Sequence, residues 1–172
     1  SIQLAASRNL TTGALAPVSV IGFGETVDHT VNVKFSSGEL APVPAATPLI
    51  VKVYLPAGLD YVAGSSVPAL FQPAYSGVNP ETMQPATVLE WQLAAPVAGV
   101  TQPPLTYQVR LATNVGNGAS LHTSATVEHA LDPGPLFILP VSSSAEDRLA
   151  VSDIVASVPA GLLATMSAAP PF

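Results

Sequence analysis

The sequence predicts an all-β domain built as a two-layer sandwich. Three observations carry this. Short segments alternate apolar and polar residues with a period of two, the mark of half-buried strands. Eighteen prolines and twelve glycines separate these segments. No window holds an apolar stripe of helical period, because Gly or Pro interrupts every stretch long enough to carry one. Seven or eight such strands fit a sandwich or a barrel. The sandwich is preferred, since two inner faces of Val, Leu and aromatic residues fill a core about 10 Å thick.

Each strand follows from its alternation. "SIQLAAS" is an opening strand carrying Ile2 and Leu4. Residues 10–24 predict a long loop or irregular strand. "ETVDHTVNVKFSS" is the clearest case: Val27, His29, Val31, Val33 and Phe35 fall on one face, and Asp28, Thr30, Asn32, Lys34 and Ser36 on the other. "PLIVKVYLP" puts Leu49, Val51, Val53 and Leu55 together. Residues 63–86 predict a second long loop. "TVLEWQL" aligns Leu89, Trp91 and Leu93, with Glu90 and Gln92 opposite; Trp91, the single tryptophan, is the expected central plug of the core. "LTYQVRLAT" turns Leu105, Tyr107, Val109 and Leu111 inward, and "ASLHTSATVEH" does so with Leu121, Thr123, Ala125 and Val127. "GNG" at Gly116–Gly118 predicts a hairpin-type turn between those two strands.

"YLPAGLDYVAGSS" (Tyr54–Ser66) predicts a corner between sheets. Pro56 fixes φ and withdraws a donor, so pairing stops there. Gly58 accepts the positive φ of a tight turn, after which Leu59 and Tyr61 can face inward again. The lone Gly58 lacks the repeated glycines and following helix of a phosphate cradle.

Residues 18–129 resemble the DUF11-type repeat domains of prokaryotic cell-surface proteins. The matching motifs are "GETVDHTVNVKF", the "YLPAGLDYVAGSS" corner, "LEWQL", "LTYQVRLAT" and "LHTSATVEH". The insert Val67–Ala86 is longer than the family's pattern. The resemblance implies an immunoglobulin-like β-sandwich of seven to nine strands, export, a structural or adhesive role, and no catalytic residues. The expected organisation is a sandwich over residues 1–130 and a C-terminal extension over 131–172. "RLAVSDIVAS" within that extension predicts a strand that either completes its own domain or is donated to a neighbouring subunit. Ile2, Leu4, Leu149, Val151, Ile154 and Val155 are the candidate assembly residues.

Composition narrows the function. Charged residues make up 9% of the chain, against about a quarter in ordinary soluble domains. Such a surface repels copies of itself weakly, which favours self-association or a crowded extracellular lattice. Net charge is −6, and the basic residues Arg8, Lys34, Lys52, Arg110 and Arg148 are scattered, which argues against a nucleic-acid groove. No cysteine is present, so disulfides and thiolate metal sites are excluded. No apolar run is long enough to span a bilayer as a helix. The chain starts at Ser1 without Met, as a secreted protein would after signal removal, or one repeat excised from a longer chain.

Catalytic signatures are weak. His29, His122 and His129 stand in no metal-ligand spacing, and structural or surface roles are expected for them. Glu146 and Asp147 form a tight acidic pair that calcium could use, but a solvated turn is the plainer expectation. Asp132 and Asp153 are isolated, Glu90 points outward with no evident partner, and no G-x-S-x-G elbow appears. "NLT" at Asn9–Thr11 matches a glycosylation triplet. Tyr54, Phe71 and Tyr75 could serve carbohydrate binding as exposed aromatics, with core or interface packing the plainer expectation; Phe71 and Tyr75, in the 63–86 loop, are the candidate ligand-binding residues. The expectation is a non-enzymatic extracellular protein with no cofactor: a structural subunit of a filament, pilus-like fibre or surface layer, joined to copies of itself or adjacent repeats by β-strand addition. The alternative is an adhesive module of a larger surface protein that binds a glycan or a protein.

Overall fold

The computed structural model describes residues 2–9, 15–17, 20–35, 48–94, 97–130, 138–139 and 149–157. They form an all-β, immunoglobulin-like sandwich of two sheets. In chain order the strands are β1 (Ile2–Asn9), β2 (Leu15–Pro17), β3 (Val20–Gly22), β4 (Thr26–Val33), β5 (Leu49–Pro56), β6 (Leu59–Tyr61), β7 (Tyr75–Val78), β8 (Pro85–Leu93), β9 (Leu105–Leu111), β10 (Ser120–Ala130), β11 (Ile138–Leu139) and β12 (Leu149–Ser157). Seven of these run seven residues or more, namely β1, β4, β5, β8, β9, β10 and β12. The other strands have two to four residues.

The first sheet has the order β2-β1-β4-β9-β6, and the second β3-β12-β10-β5-β8-β7, with β11 also on β10. Pairing is antiparallel except for β3 beside β12. Register stacks the inward residues in rows. Val31 lies opposite Leu4 and Leu105, and Val51 opposite Trp91 and Val127. Every inward residue expected on β4, β5, β9 and β10 is buried. Trp91 is fully buried and tilts against Tyr107 of the opposite sheet, ring centroids 5.7 Å apart.

The strand "RLAVSDIVAS" is seated within this chain. β12 pairs with β10 from Ser120↔Val155 to Thr126↔Leu149, and its Ile154 and Ala156 enter the core.

The corner falls where expected, one residue later than the missing donor of Pro56 suggests. Pro56, still opposite Ala86, ends β5 in the second sheet, Ala57 and Gly58 turn, and Leu59 opens β6 in the first sheet. Gly58 has φ of 102°, and its carbonyl accepts the amide of Ala112 at 2.9 Å. The "GNG" segment departs from expectation. β9 and β10 lie in different sheets, so residues 112–119 form an arch rather than a hairpin. The Gly118 amide donates to the Ala156 carbonyl (2.8 Å) and the Ala156 amide to Ala119 (2.9 Å), which ties the arch to β12. Alternation identifies faces, not partners, and two successive alternating strands can belong to either layer.

The stretch 63–86 is not a bare loop. Residues 62–72 strap the open side of the sandwich. Val67 exchanges both backbone hydrogen bonds with Thr106 of β9, and the Phe71 amide donates to Glu90 of β8. Then β7 pairs with β8, and the turn 79–84 curls over the outer face of the second sheet. That cover buries Tyr54, Ala86 and Val88, with Tyr75 packed on them. Tyr54 is therefore a buried residue, in the packing role that is the plainer expectation for it.

Gly58 is doubly constrained, by its positive φ and because a Cβ there would lie 2.6 Å from Val115 Cγ2. Gly58→Ala should cost about 1–3 kcal/mol, read as a lower midpoint in denaturant unfolding.

Candidate functional site

Two surface features gather chemistry. The first is a groove of about 500 Å³ on the 62–72 strap, walled by Tyr61, Leu70, Phe71, Gln72 and Pro73, with Ala, Gly and Ser between. Among the described residues, those that line it carry no charge. Its floor is pinned from below. The Trp91 indole N–H must find an acceptor because it is buried. It reaches Ser66 Oγ at 2.9 Å and the Pro68 carbonyl at 3.0 Å. Ser65 Oγ accepts the Gln108 amide at 2.9 Å and donates to Val62 O at 2.6 Å. The strap is thus fixed at both sheets, and Phe71 stands out from it with 57% of its surface exposed. Tyr75, the second candidate, does not join Phe71. It lies on the Tyr54–Val88 cluster and donates its hydroxyl to Glu90 Oε1 at 3.2 Å.

Glu90, expected to be outward and unpartnered, is buried beneath this segment. Gln72 Nε2 donates to its Oε2 at 3.2 Å, and Lys52 Nζ stands 3.9 Å from its Oε1. The missing signal was the fold of 63–86, which carries no periodicity.

The second feature is a polar cluster around His122. Its Nδ1 lies 2.6 Å from Asp153 Oδ1 on β12, and its Nε2 2.7 Å from Glu81 Oε2 on the 79–84 turn. Asp153, expected to be isolated, is thus engaged. Ser124 Oγ donates to Glu81 Oε2 (2.6 Å) and accepts from Asn79 Nδ2 (3.0 Å). The imidazole is raised above its ordinary pKa, first by the hydrogen bond to Glu81, against burial, and then by Asp153. Glu81 is lowered, chiefly by the Ser124 hydroxyl. Ser124 donates to a carboxylate and not to the imidazole, so the serine–histidine contact of a hydrolase triad is not what these residues form. Among the described residues no group of three or more His, Cys, Asp or Glu could hold a metal ion.

Of the candidate assembly residues, Ile2, Leu4 and Ile154 are buried in this chain's own core, while Val155 is 37% exposed. For Leu149 and Val151 the backbone is described: both pair with β10. Glu146, Asp147 and Asp132 lie outside the described residues. For His129 the backbone is described, opposite Leu49 of β5. Asn9 lies in β1 opposite Leu15.

His29 has a different environment. It is fully buried on β4, with Nδ1 2.9 Å from the Tyr107 hydroxyl and ring edge against ring face at 5.2 Å. Its Nε2 finds no hydrogen-bond partner among the described residues. Burial lowers its pKa to about 4 and pushes the Tyr107 phenol upward.

No protein-family model matches the chain, the DUF11-type included, and no curated protein matches it. Solved structures do align. The collagen-binding domain of a Staphylococcus aureus adhesin covers 90% of this chain and 98% of its own, at 5% identity and a TM-score of 0.44. The T6 backbone pilin of serotype M6 Streptococcus pyogenes covers 91% of this chain and 36% of its own, at 10% identity and a TM-score of 0.46. The sixth cohesin from scaffoldin B of Acetivibrio cellulolyticus covers 92% and 99%, at 12% identity and a TM-score of 0.45. None of these likenesses bears on what this chain binds.

The buried neutral His29 opposes acid. Between its ordinary value of 6.5 and its folded value of about 4, the unfolded chain binds the proton and the native one does not. Stability therefore falls as pH drops through that interval, by roughly 3 kcal/mol from this group. Replacing both partners, as in His29→Leu with Tyr107→Phe, should shrink the difference in unfolding free energy between pH 7 and pH 4 by that order.

Proposed function

We propose that this chain is a non-catalytic extracellular binding module that takes a neutral glycan in the groove beside Phe71. One observation carries this: a large aromatic ring, 57% exposed, held on a strap that the core itself anchors. An exposed aromatic on a fixed backbone binds without an ordering cost. The absence of charge along the groove favours a ligand without charge. A sugar ring offers an apolar face for Phe71 and hydroxyls for the amide and hydroxyl groups nearby. Export and surface display are supported by the low charge of the chain and by the motifs of the "YLPAGLDYVAGSS" corner.

A second role, a structural subunit joined to neighbouring copies by strand addition, is favoured by the edge of the second sheet. There β7 exposes Ser76 and Val78, the latter at 53%. An exposed strand edge is a template for another chain. Val78→Lys blunts that edge, and should abolish self-association seen by analytical ultracentrifugation while leaving glycan binding intact.

The glycan role is tested on immobilised neutral polysaccharides, with Phe71→Ala compared to the wild type. The variant should keep its circular dichroism and thermal midpoint and lose about tenfold or more in affinity. A wild-type protein that binds no neutral polysaccharide, or a Phe71→Ala variant that binds equally well, overturns this role.

A further inference from the structure

The outer face of the second sheet holds an arrangement that the groove does not use. Both ring nitrogens of His122 lie at hydrogen-bond distance from carboxylate oxygens, 2.6 Å to Asp153 and 2.7 Å to Glu81. A neutral imidazole has one donor and one acceptor nitrogen. Its bare nitrogen would then face a carboxylate oxygen, lone pair against lone pair. Only the imidazolium donates to both. The two acceptors come from segments far apart in the chain, Glu81 from the turn 79–84 and Asp153 from β12, while His122 itself belongs to β10.

The turn closes the β7–β8 hairpin, whose last pair is Val78 opposite Pro85. Its internal bonds run from the Asn79 amide to Gln84 O and from the Met83 amide to Asn79 O, and Asn79 Oδ1 accepts from Glu81 and Thr82. Its side-chain contacts to the sheet among the described residues are Glu81 to His122 and Ser124, and Asn79 to Ser124. Met83 holds φ of 59°, a conformation that bulky side chains adopt at a cost. Beneath the turn lies a cleft of about 280 Å³ between Pro56, Ala57, Leu121 and His122 on one side and Thr82 and Gln84 on the other.

We propose that His122 is a pH-operated clasp: its imidazolium pins the 79–84 turn and β12 to β10 at once, and loss of the proton leaves one of the two carboxylates without a donor and loosens the turn over the cleft below it. Among the described residues, Glu81 from the turn and Asp153 from β12 are the titratable groups that touch the ring. The corner after β5 presents only Pro56 and Ala57, and β10 presents Ser120 and Leu121. The direction follows from the two partners. A histidine raised above 6.5 contributes stability fully below that value and loses it as pH rises through the folded pKa. Glu81, lowered from 4.5, contributes above that value and loses its part as pH falls. The clasp therefore holds while Glu81 is ionised and His122 protonated, and it opens as pH rises through the raised His122 midpoint.

This inference is independent of the glycan role. Its test is an NMR titration of the full chain from about pH 5 to about pH 9. The His122 ring should titrate with a midpoint above 6.5. Across that midpoint, protection of the Asn79 and Met83 amides, corrected for the intrinsic pH dependence of exchange, should fall about tenfold. Glu81→Gln keeps an acceptor without the charge, and should lower the midpoint and flatten the change in protection. Global unfolding by circular dichroism identifies any variant that fails to fold, and the wild-type titration decides without variants. A His122 midpoint at or below 6.5 overturns the clasp, as does protection of the turn that does not follow the midpoint.

Discussion

The indole of Trp91 is the point on which core and surface both depend. Its rings are rooted in the second sheet and lean on Tyr107 of the first, so one side chain spans the layer between them. Its N–H lies at the core's margin, where an unpaired donor would be costly. Ser66 and Pro68 meet that need, and in doing so they hold the strap across the side of the sandwich. The groove beside Phe71 is thus a consequence of satisfying one buried donor. An aliphatic residue at position 91 would fill less of the core and would leave the strap without that anchor.

The two faces of the sandwich differ for a related reason. The outward residues of the first sheet's β4 and β9, such as Asp28, Thr30, Asn32, Thr106 and Gln108, are short or polar and remain accessible, with Gln108 bonded to Asp28 at 3.1 Å. The second sheet carries Tyr54, Ala86 and Val88 on its outer face, too apolar to leave in water. The long insert covers them. Once a chain segment lies there, the polar groups it buries must be paired, and Asn79, Ser124 and Glu90 all are.

His29 and His122 show how environment separates two identical side chains. His29 shares its surroundings with apolar residues and one phenol, so charging it is expensive. His122 shares its surroundings with two carboxylates, so discharging it is. The first makes the fold sensitive to acid. The second places the opposite dependence at the surface, where a turn and not the core responds.

Much of the architecture was legible in the sequence. Alternation alone assigned the buried residues of β4, β5, β9 and β10, because a strand's period of two is a property of the backbone. Pro56 and Gly58 marked the corner because one lacks an amide donor and ends its strand, and the other tolerates the required φ. What tertiary structure decided was partnership. Alternation could not tell that β9 and β10 lie in different sheets, or that β12 sits between β3 and β10. It named Glu90 and Tyr54 as outward, which is correct for the strand, yet both are buried because a non-periodic insert lies over them. The contacts of His122 reach 31 and 41 residues along the chain. Strand periodicity is local and survives in the sequence as a pattern, whereas a contact between distant segments exists only once both have been placed by the core.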